Sequence, residues 1–348
     1  MRVITTIPQN NLQSVPAAAR AVEAAGFDGI VSMENKHDPF LPLAVAATCT
    51  ERVELATGIA ISFARSPMST ANMTWDLYEG SGGRFVVGLG TQIKAHNERR
   101  FSVPWTPPAP RMREYLQALK AIWKCWETGE KLDYRGEHYT FTLMTPNFVP
   151  ENTVPGTPKV TLASVGPVMM KVAGEEADGV RLHPFCTRKY MEETIVPRIE
   201  AGLAKADRAR ETFEISGGGF IATGPDDESV HKMAEWVRYR IAFYGSTPAY
   251  YPVLEAHGMQ ELGLKLNRMT KEGQWDKIAA EVPDELLHHC AAIGRHDEIS
   301  AKVEQRFGGI SDTVFASVST DIPSDLPPDL IQDLQRIPSA FQGHRPSG

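Results

Sequence analysis

Short apolar, β-branched runs alternate along the first half of the chain with stretches whose apolar residues recur at helical spacing. Residues 3–7 form such a run, closed by Pro8, and predict a strand. Residues 12–25 carry helical spacing, and Gly26 stops them as a glycine past a helix end does. The same alternation predicts strands at 28–33, 53–61 and 84–89, with helices at 42–50 and 67–80 between them. Pro67 stands in the first turn of the latter helix, where its missing N–H costs nothing. These strands are apolar throughout rather than alternating, as strands covered on both faces are. Together they give the rhythm of a parallel sheet with helices outside it.

After Gly90 the rhythm breaks. Residues 91–109 read as loop, with Pro104, Pro107 and Pro108. Residues 111–127 predict an amphipathic helix through Leu116, Leu119, Ile122, Trp123 and Trp126. Residues 130–158 are polar, aromatic and Pro-rich, with a small hairpin expected around 133–136. The rhythm returns with strands at 160–165, 179–182, 213–223 and 313–319, and helices at 168–177, 188–206 and onward from Asp226. Counting the strands gives eight, which predicts an α/β fold closed as a (β/α)8 TIM barrel; an open doubly wound sheet is the rival. A bare barrel needs about 250 residues, and this chain has 348. The surplus falls at 91–159 and 240–295, after strands four and seven. We therefore expect one barrel domain over 1–320 with two insertions, followed by a Pro-rich tail, 321–348.

Composition narrows the function classes. The chain has 36 Lys+Arg against 43 Asp+Glu, a formal charge of −7, so no nucleic-acid partner is expected. No run approaches the length of a membrane span, and residues 1–8 lack the apolar core of a signal peptide. Cys49, Cys125, Cys186 and Cys290 are widely spaced, with no CxxC pair and no HExxH elsewhere, so no metal site is expected. Sparse thiols fit a reducing cytoplasm better than a disulfide scaffold.

In a barrel, chemistry gathers at the carboxyl ends of the strands. Those ends hold Glu34 and His37 after strand two, and 58–62 after strand three. Thr91 follows strand four, with Lys94 and His96 beyond it. Ser164, Val165 and Gly166 follow strand five, and His183 follows strand six. Glu34 and His37 also read as supports of the next helix start, with Asp38 as its cap. Gly166-Pro167 opens a helix whose free N–H groups suit a phosphate. The glycines at 217–219 suggest a bulge or a close-lying ligand. His288 and His289, beside Cys290, read as surface or core. The aromatic stretch 236–251 reads as core packing, with a substrate wall or subunit interface as alternatives. No GxSxG elbow is present.

These residues resemble the luciferase-like monooxygenase superfamily. The resemblance rests on Glu34 and His37 three apart after strand two, on Thr57-Gly58-Ile59, on Pro67, and on 83–90 (GRFVVGLG), 163–167 (ASVGP) and 176–179 (EADG). Within the superfamily the chain is most similar to the branch that uses the deazaflavin coenzyme F420, through 34–42, 94–101, 111–115, 183–185 and 266–276. The resemblance implies a (β/α)8 barrel with a flavin or deazaflavin across its mouth. It implies a non-prolyl cis peptide at the end of strand three, matched by Gly58-Ile59. It makes Ser164, Val165, Gly166 and Thr91 candidate coenzyme contacts. Relatives carry basic residues near strand six. Here that stretch holds His183 and Cys186, with Arg188 and Lys189 as nearby substitutes. A homodimer is also implied.

The expected activity is hydride transfer between F420 and a small organic substrate such as an alcohol, a carbonyl or an activated alkene. Such a reaction needs no protein nucleophile, because the coenzyme carries the hard step. One proton must be managed, and His37 is the choice because imidazole titrates near neutrality; Glu34 would orient it. Both residues alternatively only shape the substrate pocket. The rival enzyme is a monooxygenase fed reduced FMN by a partner reductase. The rival of another class is a barrel that binds a flavin without catalysis.

Overall fold

The computed structural model describes residues 1–316 and 326–344. Eight parallel strands close on themselves: β1 (Arg2–Thr6), β2 (Gly29–Ser32), β3 (Glu54–Thr57), β4 (Phe85–Gly90), β5 (Lys159–Ser164), β6 (Gly179–Leu182), β7 (Glu214–Gly217) and β8 (Thr313–Phe315). Each pairs with its neighbour in chain order, and β8 pairs with β1 at Arg2↔Thr313, which completes a (β/α)8 barrel. The rest of the expected 313–319 strand lies outside the described residues. The barrel strands are buried almost throughout, which is why they lack an alternating pattern.

The helices start and stop where local chemistry directs. Gly26 ends the helix Val15–Ala25 in the left-handed conformation, φ 92°. Ser66 Oγ accepts the Met68 N–H at the start of Pro67–Gly80. The long insertion helix Pro108–Thr128 buries its apolar stripe against Pro67–Gly80, with Trp75 and Trp126 edge-to-face at 5.5 Å. The expected hairpin forms between Tyr134–Arg135 and Thr140–Phe141. The expected helix over 188–206 is interrupted by a wide turn, Met191–Ile195. Pro197 has no N–H to give the carbonyl four residues back, which weakens the regular ladder there.

The expected strand 213–223 is two strands. Gly217 and Gly218, at φ 83° and 95°, turn the chain out of the barrel. Phe220–Gly224 then pairs in parallel with Ala291–Arg295, forming a two-stranded sheet outside the barrel. The glycine run is therefore a turn packed against side chains, not a ligand cradle. A Cβ at Gly218 would lie 2.7 Å from Met191 Sδ, and one at Gly219 would lie 2.8 Å from the Phe307 ring.

The described part of the tail docks at the amino end of the barrel. The helix Pro328–Gln335 buries Leu330, Ile331 and Leu334. The N-terminal ammonium donates to the Gln335 and Ile337 carbonyls. Below the barrel interior, His344 Nε2 lies 3.3 Å from Glu214 Oε2, and Glu214 also pairs with Arg2 at 3.0 Å.

Candidate active site

At the carboxyl end of β3 the strand breaks at Gly58 and resumes as Ala60–Ile61, which pairs with the last residues of β4. The Gly58–Ile59 peptide is cis. A Cβ at Gly58 would overlap Val31 Cγ1, so only glycine lets this backbone approach β2. The break is held from beneath by Glu34. Its N–H donates to the Ile59 carbonyl at 3.0 Å, and its Oε2 accepts the Ile61 N–H at 2.6 Å. Arg65 Nη1 meets the same oxygen at 2.6 Å, while Arg65 Nη2 reaches Asp38 at 3.0 Å. Asp38 in turn caps the helix Phe40–Ala47 by accepting the Phe40 N–H at 2.8 Å.

This network changes the reading of Glu34. Its carboxylate is occupied by Arg65 and the Ile61 amide, and no hydrogen bond joins it to His37 among the described residues. Glu34 braces the bulge rather than orienting an imidazole. His37 stands exposed on the loop after β2. Arg65 was missed by sequence reasoning, although it lies only four residues past Ile61, within the same strand-end loop. Gln9, at the end of β1, was missed too; its Nε2 donates to Ser32 Oγ at 2.6 Å and to the Met33 carbonyl at 2.7 Å.

The mouth continues across β4 and β5. A Cβ at Gly90 would meet the Ile59 side chain at 2.8 Å and Ala163 at 3.4 Å, so these three residues sit side by side. Thr91 follows directly; its hydroxyl donates to the Gln92 carbonyl, and its own carbonyl accepts from Asn97 at 2.9 Å. On the far side, Ser164, Val165 and His183 line one slot with Cys186 and Tyr250. The buried Ser164 hydroxyl has no partner. Gly166 precedes the helix Pro167–Glu176, whose first turn has no side-chain cap.

His183 cannot serve as a cation there. Burial, and then the nearby Arg240, push its pKa down to about 3. Its ring sits between Tyr244, at 4.2 Å, and Tyr250, at 4.7 Å. Nδ1 accepts the Phe185 N–H at 3.0 Å, which leaves the proton on Nε2. The aromatic stretch around 244–250 thus reaches the mouth as well as the core. Arg188 stands apart from the slot. Its Nη1 donates to the Gln305 and Gly308 carbonyls, and its Nε pairs with Glu192 at 2.8 Å.

The luciferase-like monooxygenase family model matches residues 2–312. The chain belongs to that family. Rv1360, an uncharacterized protein of Mycobacterium tuberculosis, is 46% identical over 305 residues, 88% of this chain and 90% of Rv1360. The 5,10-methylenetetrahydromethanopterin reductase of Archaeoglobus fulgidus is 27% identical over 324 residues, covering 90% and 92%. The solved coenzyme F420 dependent tetrahydromethanopterin reductase of Methanopyrus kandleri superposes with a TM-score of 0.77 over 97% of each chain. At 21% identity this is a likeness of fold.

The mouth suits a flat ring in two respects. Glycines at 58 and 90 let the strand ends and the Ile59 side chain pack closely at the mouth, and the orphaned Ser164 hydroxyl offers a polar contact beside free helix N–H groups. The slot by Ser164 encloses only about 20 Å³, scarcely more than a water needs. A ring would therefore lie over the open mouth, with only a substituent entering the slot.

Proposed function

We propose that the chain is an oxidoreductase that moves a hydride between coenzyme F420 and a small organic substrate. The observation that carries this reading is the braced break at 58–61 facing, across Gly90 and Ala163, an unpartnered buried hydroxyl at Ser164. Such a site positions a planar ligand and offers no protein nucleophile. F420, when bound, supplies the hydride-accepting or hydride-donating carbon. The chain's own residues hold it: Gly58 and Ile59 under the ring, Thr91 at the rim, and Ser164, Val165 and Gly166 toward its phosphate. Relatedness to a reductase at 27% identity supports reduction chemistry. His37, on the loop after β2, is our assignment for the proton, and Glu34 with Arg65 keeps the bulge in place beside it.

Equilibrium titration with F420 and FMN in parallel tests this. The expected result is an F420 dissociation constant of about micromolar order, with FMN bound at least about tenfold more weakly. Ser164→Ala should weaken F420 by about three- to tenfold, the worth of one hydrogen bond. Binding of FMN with none of F420 would overturn the assignment in favour of a flavin monooxygenase served by a reductase. A His37→Phe variant that keeps both F420 affinity and the pH profile of turnover would remove His37 from the proton's path.

A further inference from the structure

The barrel encloses packing of its own, separate from the core beneath the helices. Ile4, Val31, Ala56 and Val86 form an apolar cluster there, with Phe315 against it. These residues come from β1 to β4 and from β8. The side built by β5, β6 and β7 differs. It presents Thr161, Arg181 and Ser216, all buried. Arg181 Nε donates to Thr161 Oγ1 at 2.8 Å, and Ser216 is the register partner of Arg181 on the next strand.

Arg181 lacks the partners a buried guanidinium takes. Nη1 and Nη2 have none among the described residues, and neither has the Ser216 hydroxyl. Burial lowers the pKa of Arg181; Glu214 and Glu54 oppose the shift, and Arg2 adds to it. A guanidinium keeps its proton all the same.

The charges are ordered along the barrel axis. Arg2, Glu54 and Glu214 are the first residues of β1, β3 and β7, and the strands run parallel, so these three gather at the amino end. Arg2 pairs with both carboxylates, at 2.9 Å to Glu54 and 3.0 Å to Glu214, which leaves the trio one negative charge. His344 meets Glu214 on the same side. Arg181 stands one residue before the carboxyl end of β6. Its register partner on β5 is Ala163, which sits at the mouth beside Gly90. The positive end of this arrangement therefore faces the mouth, and the negative end faces away.

We propose that Arg181 is the counter-charge of the reduced coenzyme: its field, from inside the barrel, favours the ring in its negatively charged, reduced form. The proposal rests on the mouth being where that ring lies. A hydride leaving a substrate C–H bond brings its electron pair to the ring and forms a new C–H bond there. The ring then holds one negative charge until a proton from solvent neutralises it. Little water screens a charge buried in the barrel, so its field reaches farther than in solvent. Charge near the ring is a means by which proteins tune such coenzymes. The groups at the rim do not cancel this field. On the far side Glu34 and Asp38 share Arg65. On the near side His183 is neutral, and Arg240, bonded to Tyr244 behind it, has the same sign as Arg181.

The test follows the absorbance of chemically reduced F420, free and bound to the full chain without oxygen, as pH is varied. The bound ring should give up its proton about three- to tenfold more readily than the free ring. Arg181→Met should remove most of that gain and should weaken reduced F420 relative to oxidised F420 by a similar factor. Arg181→Lys should keep it. A purely structural role weakens both redox forms alike; an unchanged ratio in Arg181→Met at a wild-type thermal midpoint would overturn the proposal. A bound ring no more acidic than the free one would overturn it whatever the variants do. If Arg181→Met does not fold, Arg181→Met with Glu214→Gln removes one charge of each sign and takes its place. Its ratio must shift in the same direction, because Arg181 is the nearer of the two to the mouth. If F420 binds in neither form, the coenzyme assignment has failed. Reduced FMN, whose ring takes up the same charge, then decides for Arg181 by the same titration. Binding of neither ring ends both readings.

Discussion

Residue by residue, the packing separates glycines that the sequence presents alike. Gly88 lies inside β4, and Gly166 stands between β5 and the helix Pro167–Glu176. Only one is constrained. A Cβ at Gly88 would overlap the Thr57 carbonyl and lie 2.8 Å from Arg181 Nε. The Thr57 backbone cannot retreat, because Thr57 Oγ1 bonds both the Gly88 carbonyl and its N–H, at 2.7 and 2.8 Å. At Gly166, by contrast, nothing lies within 4 Å and φ is −89°. Gly88→Ala should therefore cost about 3 kcal/mol, the upper end of overpacking penalties. Gly166→Ala should stay within about 1 kcal/mol, the scale of an altered helix cap. Denaturant midpoints of the two variants check this, and equal losses would mean that the barrel interior yields at Gly88.

At the level of elements, the barrel was legible because its strands are buried on both faces and its helices carry capped, periodic ends. Seven strand positions follow from that pattern alone. Strand 213–223 was misread because a run of apolar residues does not reveal that Gly217 and Gly218 turn the chain between two sheets. Its partner, Ala291–Arg295, was hidden inside an insertion whose helical neighbours dominated the pattern. The strand-end rule found Glu34, Ser164 and His183, but it could not say what each side chain touches. Hence Arg65 was overlooked, since its partners Glu34 and Asp38 sit on a different strand-end loop, about thirty residues earlier in the chain. The tail shows the same limit. Read only as Pro-rich, it nonetheless buries Leu330, Ile331, Leu334 and Phe341 against the amino end of the barrel. Phe341 N–H also donates to Asp312 Oδ1 at 3.0 Å. Ending the chain before Leu326 should lower stability by at least about 3 kcal/mol, since each such side chain contributes about 1.5–3 kcal/mol and ordering cost takes part of it back. Guanidinium unfolding measures the loss. If the proposed function holds, F420 affinity of the folded fraction should persist, because the tail lies at the opposite end from the mouth.

Across the whole molecule, charge is distributed so that acid acts on it in stages. The mouth holds a neutral imidazole at His183, and the amino end holds the ionised Glu214, kept below the usual carboxylate range despite its burial by His344, Arg2 and Arg181. His183 responds first. Its folded-state pKa of about 3 lies below the 6.5 of a free imidazole, so below pH 6.5 unfolded chains gain a proton that folded chains refuse. The stability tied to this group is complete above pH 6.5 and is lost progressively toward pH 3. His257, also lowered, adds to the same slope. Glu214 enters only below the carboxylate range of about 4.3, where unfolded chains protonate it and folded chains do not. Between pH 6.5 and 5 the decline therefore belongs to histidines. His183→Asn keeps an oxygen to accept the Phe185 N–H and cannot titrate. The variant should start less stable, having lost its contacts with Tyr244 and Tyr250. From pH 7.5 to 5, however, its guanidinium midpoint should fall by distinctly less than that of the unaltered chain. Parallel declines would mean that the imidazole takes up its proton inside the fold, and the neutral mouth argued for here would have to be given up.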